Sequence, residues 1–134
     1  MSTSPAPPGR ETVEALATVS PSEMADDIRA ATADVYAYAQ AWRSSPSWHG
    51  DKLQRKAYDC VAVAVAELDA IPAAQSYRDV DRLADVVARI LNAWWPDTPG
   101  IQRDLHNAVD RLRRAAMHRT AWVRQARSMV GLPW

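Results

Sequence analysis

The sequence predicts an all-α protein: an antiparallel four-helix bundle, with room for a short extra N-terminal helix. Three observations predict it. Apolar residues recur at alternating steps of three and four through four long stretches, the period of helices that bury one face. Capping residues, prolines and glycines punctuate those stretches. The links between them are short, which favours antiparallel neighbours. Nothing suggests a strand order or a βαβ unit, so doubly wound nucleotide folds are excluded.

Residues 1–19 read as a disordered tail whose Pro, Gly and small polar start buries too little surface to offset its ordering entropy. Within it, Glu11 to Thr18 can form a short helix through Val13, Leu16 and Ala17. The bundle domain spans residues 20–134. Ser20-Pro21-Ser22-Glu23 opens the first long helix as a capping box with proline at its first position. Its seam is Met24, Ile28, Ala31, Val35, Tyr38 and Trp42, and Ser44-Ser45-Pro46-Ser47 ends it.

Asp51 caps the second helix, with Leu53, Ala57, Cys60, Ala64, Leu68 and Ile71 as its seam. Val61, Val63 and Val65 widen its apolar face, so this helix is expected to be the most buried. The run Val61 to Val65 also alternates with a period of two. Alanine content and the flanking helical period decide for helix. Pro72 ends it. Ser76 caps the third helix, and Asp79 and Asp81 suit its positive end. Its seam is Val80, Leu83, Val87, Ile90 or Leu91, and Trp94, closed by Trp95-Pro96. Thr98-Pro99 opens the fourth. Its seam is Ile101, Leu105, Ala108, Leu112, Ala115, Arg119, Trp122, Ala126 and Met129, stopped by Gly131 and Pro133. At about 30 residues it would be about 45 Å long, so it outreaches its neighbours or bends.

The class of protein follows from composition. A chain of 134 residues fits one domain, and 48% apolar with 24% charged residues argues for a folded one. No run approaches the roughly 20 apolar residues of a membrane span, and the first residues lack the apolar core of a signal peptide. Cys60 is the one cysteine, so no internal disulfide forms and a reducing, cytoplasmic compartment is expected. Phe is absent, Trp occurs six times, and Arg outnumbers Lys by 14 to 2. That bias resembles a GC-rich bacterial genome, such as an actinomycete's.

Charge is balanced overall, with 16 basic and 16 acidic residues, but unevenly placed. Residues 101–134 carry seven Arg against two Asp. Asn107, Arg111, Arg114 and His118 fall on one stripe of the last helix, and Arg113, Thr120, Arg124 and Arg127 on another. Guanidinium groups grip carboxylate and phosphate through forked contacts. The expected function is therefore a non-enzymatic binding or regulatory module. Its basic last helix engages an acidic protein partner, a nucleic acid or a second copy of the chain. The structural alternative is that these arginines pair with Asp26, Asp27, Asp85 and their neighbours. Arg119 is the one charge in the fourth seam, so it must pair, snorkel or face an interface. Trp95 and Trp134 are candidate anchors for a partner. No cofactor or metal is expected. His106 and Asp110 could offer two ligands, but no third is spaced to join them. Cys60 reads as inert packing among Val and Ala.

Two short motifs carry resemblances. Arg113 and His118, with four residues between them, are similar to the Arg-x(4–6)-His motif of HEPN ribonucleases, which are also helical bundles. The resemblance implies Arg113 and His118 as a catalytic pair acting on RNA across a dimer. Five residues on a regular helix span about 140°, so the two would not converge within one chain. The motif's Arg is often followed by Asn or Asp, and here Arg114 follows it. Trp48-His49-Gly50 resembles the Trp-x-Gly turn of hairpin proteins exported by type VII secretion systems. Tyr77 and Asp81 resemble the Tyr-x-x-x-Asp signal of those proteins. Here two more helices follow the hairpin, and the Tyr motif starts a helix.

Overall fold

The computed structural model describes residues 12–93 and 101–134. All regular structure among them is helical. The elements are α1 (Val13–Ala17), α2 (Pro21–Arg43), α3 (Lys52–Ala70), α4 (Tyr77–Ala93), α5 (Arg103–Arg113), a π-helical turn (Arg114–His118) and α6 (Arg119–Met129). No described helix is long and apolar enough to cross a membrane.

Local chemistry sets most of the boundaries. The Ser20 hydroxyl accepts from the Glu23 N–H at 3.1 Å, ahead of Pro21 at the first position of α2. Asp51 accepts from the Gln54 N–H at 2.9 Å and starts α3. Before α4 the capping is reciprocal. The Ser76 hydroxyl accepts from the Asp79 N–H, while the Asp79 carboxylate accepts from the N–H groups of Gln75 and Ser76. The C-terminus of α3 has no glycine cap. Instead Arg29 of α2 donates to the carbonyls of Leu68 and Ile71, a charged cap on orphan acceptors.

One core joins all the helices. Met24, Ile28, Val35 and Trp42 of α2 are buried as expected, but Tyr38 is exposed and Thr32 and Ala39 take the inner face. The buried stripe Ile28, Thr32, Val35, Ala39 and Trp42 keeps steps of four and three, with Ala31 and Tyr38 at its flank. In α3, Ala57, Ala64 and Leu68 are inside, as expected. Leu53 is 50% exposed and Val63 56% exposed, whereas Gln54, Tyr58 and Val61 are buried. Thus α3 is not the most buried helix, because its apolar residues circle the helix and only one side meets α2. Val80, Leu83, Val87 and Ile90 of α4 are fully buried, with Val86 beside them. The short helix α1 packs on α6. Leu16, Ala17 and Val19 enter the common core, so the chain is packed before the expected boundary at residue 20.

The last helix starts later than expected. Ile101 and Gln102 are not helical, and α5 begins at Arg103. Trp94, Trp95, Thr98 and Pro99 lie outside the described residues. From Arg103 to Met129 the backbone stays helical but passes through the π turn. There the Arg119 N–H donates to the carbonyl of Arg114, five residues back. This extra residue shifts the side chains of the next turns by one position. The expected seam holds through Leu105, Ala108 and Leu112. Beyond it, Ala116, Thr120 and Val123 are buried where Ala115, Arg119 and Trp122 were expected. Met129 is exposed, and Ala126 returns to the core.

Candidate functional site

From Arg111 onward the arginines of the C-terminal stretch fall into three groups. Arg111, Arg114 and Arg119 gather around a groove of about 230 Å³, floored by Ala115 and closed on one side by Asp27 of α2. Arg111 and Arg114 are exposed and, among the described residues, make no ion pair or side-chain hydrogen bond. Arg119 is the half-buried member, its side chain 15% accessible, with Nε 3.8 Å from an Asp27 carboxylate oxygen. The groove thus sets three guanidiniums against one carboxylate on an apolar floor. A partner's anion entering it would be drawn by charge and gripped by forked donors. Asn107 is exposed one turn before Arg111, outside the groove lining.

His118 leaves that stripe. Together with Arg113, Met117, Ala88, Leu91 and Asn92 it lines a separate groove of about 280 Å³ between α4 and the π turn. Arg113 and His118, expected about 140° apart on a regular helix, both line this groove. A π turn closes its hydrogen bonds five residues apart, which brings residues i and i+5 to one side. Arg113 is steadied by Asp110, with Nη1 2.8 Å from the carboxylate. His106 shares that carboxylate at 3.5 Å. His118 packs near Trp122, ring centroids 6.1 Å apart. A cation and an imidazole across one groove can hold a phosphate and move a proton. His106 and Asp110 thus face each other, and no group of three or more His, Cys, Asp or Glu gathers among the described residues.

Arg124, Arg127 and Trp134 form the third group and are joined by mutual contacts on the side of α4. The Trp134 ring stacks on Tyr77 with centroids 4.7 Å apart, and its indole N–H donates to Asp81 at 2.7 Å. Arg124 forks onto the same Asp81 with two contacts of 2.9 Å and lies over the Trp134 ring. Arg127 donates to the carbonyls of Ala17 and Pro133 and lies over the Tyr77 ring. Tyr77 completes the latch by donating to the Val19 carbonyl at 2.7 Å. These contacts tie α1, α4 and the chain end to α6.

The Trp48-His49-Gly50 turn is likewise accounted for by geometry. Gly50 has φ +67°, which suits glycine. Trp48 sits edge-on to Trp42 at 4.9 Å and near Tyr58 at 6.1 Å. Tyr77 and Asp81, the second half of the secretion-like pattern, serve the C-terminal latch.

Sequence reasoning placed the basic residues on the right helix but grouped them wrongly, because no local signal marks a π turn. It also missed Gln54 and Arg29. Both polar side chains bond backbone groups distant in the chain or in a loop, and such bonds have no periodic signature. Comparison with family models, with curated proteins and with solved structures finds no match to this chain.

Proposed function

We propose that this chain is a non-enzymatic binding module in which α2, α3, α4 and the C-terminal helical stretch form an antiparallel bundle. On this reading the Arg111–Arg114–Arg119 groove receives a carboxylate-bearing segment of an acidic protein partner. The observation that carries the reading is the concentration of three guanidiniums, two of them exposed and without ion pairs, around one small apolar-floored groove. A protein partner suits it better than a long nucleic acid. Asp27 borders the groove, Asp26 and Glu23 lie nearby on α2, and the chain's pI is near 6.8, without the broad basic footprint that nucleic-acid binders show.

The test is a titration of the full chain with oligo-glutamate, followed by anisotropy at low and moderate salt. Binding that weakens with salt and is abolished by Arg111→Glu with Arg114→Glu supports the reading. Binding unchanged in that double variant refutes it. Tight binding to a mixed RNA and DNA pool in a parallel titration would transfer the groove to nucleic acid.

A second reading is favoured by one observation. Arg113 and His118 line the same groove together with Asn92, so a HEPN-like ribonuclease activity has its two expected groups at hand. RNA degradation that persists in His118→Ala would dismiss it.

A further inference from the structure

Arg111 and Arg114 stand three residues apart on the C-terminal stretch, neighbours on one helix face. Both are exposed, and among the described residues neither has an ion pair or a side-chain hydrogen bond. Other arginines of the stretch are engaged, Arg113 with Asp110 and Arg124 with Asp81. Adjacent like charges on a helix repel each other, and an anion held by both would relieve that repulsion. Arg119 and Asp27 line the same groove and face each other at 3.8 Å, so the carboxylate that would oppose an entering anion is offset. Ala115 floors the groove, and an apolar floor strengthens the hydrogen bonds made above it.

Charge and the number of oxygens offered decide which anion fits best. A carboxylate carries one charge and forks onto one guanidinium, leaving the other uncompensated. A phosphomonoester carries about −1.5 to −2 charges at neutral pH and three acceptor oxygens, enough for a fork from each arginine. A nucleic-acid strand spreads single charges along its length, and its further phosphates would meet Asp27 and the neighbouring Asp26 of α2. A groove of about 230 Å³ suits one compact head group better than a row of them. Because both arginines are exposed, a head group on a partner's surface reaches them without entering the bundle.

We propose that Arg111 and Arg114 are a receptor for a phosphorylated side chain of a protein partner, and that the groove prefers a phosphomonoester to a carboxylate. The inference rests on the reading that this groove receives a partner's anion, and it names that anion. Arg111 and Arg114 grip the phosphoryl oxygens, as arginine clusters do in phosphopeptide recognition. Arg119 stays beside Asp27 and holds off its repulsion. Phosphorylation of the partner then switches the contact on.

Nuclear magnetic resonance of the isotope-labelled full chain tests it, read at the Nε–Hε signals of Arg111 and Arg114. Short peptides of one neutral sequence carry serine, phosphoserine or glutamate at the same central position. The phosphoserine peptide should move both signals and bind about tenfold more tightly than the glutamate peptide, and the serine peptide should move neither. Arg111→Gln with Arg114→Gln should abolish the preference with helical circular dichroism intact, since both side chains are exposed. Glutamate binding as tightly as phosphoserine overturns this proposal and leaves the carboxylate reading standing. So does a phosphoserine peptide that fails to bind while oligo-glutamate binds. Failure of both overturns both readings. A preference that survives in the double variant also overturns the proposal. Inorganic phosphate or adenosine monophosphate binding as tightly as the phosphoserine peptide would assign the groove to a free phosphomonoester and overturn the protein partner.

Discussion

Gln54→Met removes the side chain that organises the turn between α2 and α3. Gln54 is fully buried. Its carbonyl oxygen accepts from the His49 N–H at 2.7 Å and the Gly50 N–H at 3.0 Å, and its amide donates to the Ser47 carbonyl at 3.0 Å. Methionine has nearly the same length and none of these bonds. Each stranded polar group costs about 1–3 kcal/mol. The low end applies here, because His49 is exposed and Ser47 and Gly50 are half-buried, so water can reach them. Three groups give about 3 kcal/mol of loss, and the more apolar side chain returns about 1 kcal/mol through burial. The expected net loss is about 2 kcal/mol, or roughly 6–10 °C in melting temperature for a chain of this size. Urea unfolding followed by tryptophan fluorescence measures it, since Trp42 and Trp48 lie edge to face beside this turn. Far-ultraviolet circular dichroism gives the second probe. A loss under 0.5 kcal/mol, the ordinary range for surface changes, would show that the turn holds without Gln54 and would refute the reasoning.

Deleting Trp134 should cost about 2 kcal/mol by removing its stack on Tyr77, its bond to Asp81 and the cation over its ring. An unchanged melting temperature would mean the latch adds nothing. The Asp79 carboxyl is held below its usual range, first by the backbone N–H of Gln75 and then by the Ser76 N–H and hydroxyl. A depressed folded pKa means its contribution is present above the unfolded value near pH 4, and is lost as pH falls through the lower folded value. Asp79→Asn should therefore flatten the acid side of the stability curve, which urea titrations between about pH 2 and 5 would show. Gly50→Ala should cost about 1 kcal/mol from its positive φ of +67°; a neutral result in thermal melts would contradict that. Deleting Ala115 should convert the π turn to α-helix and leave the chain folded, because Leu112, Ala116, Thr120 and Val123 then follow at steps of three, four and three. Loss of the cooperative transition would refute this account of the register.

How much of the molecule was legible follows from how local its causes are. The caps at Ser20, Asp51 and Ser76 are decided within four residues, and the structure has all three. The fully buried stretch of α4 was readable because Val80, Leu83, Val87 and Ile90 form one clean apolar stripe. On α3 the apolar residues surround the helix, so the sequence alone could not choose which side meets α2. Leu53 was assigned inward, whereas the turn needs the Gln54 amide inside. The roles of Arg29, Arg124 and Arg127 depend on carbonyls and rings tens of residues away, and no window of sequence contains both partners.

The candidate site was misgrouped for a different reason, and the π turn supplies it. A regular helix continued past Leu112 would carry Arg119 and Trp122 into the core. Burying that guanidinium would need a fully satisfied partner set inside the bundle. One extra residue in the turn puts Ala116, Thr120 and Val123 inward instead. Arg119 then lies at the edge of α2, where Asp27 meets it, and Arg111 and Arg114 stand on the same side. His118 and Arg113 both line the second groove. The arginine groove therefore follows from one local change in helical pitch, and that change keeps a charge out of the core.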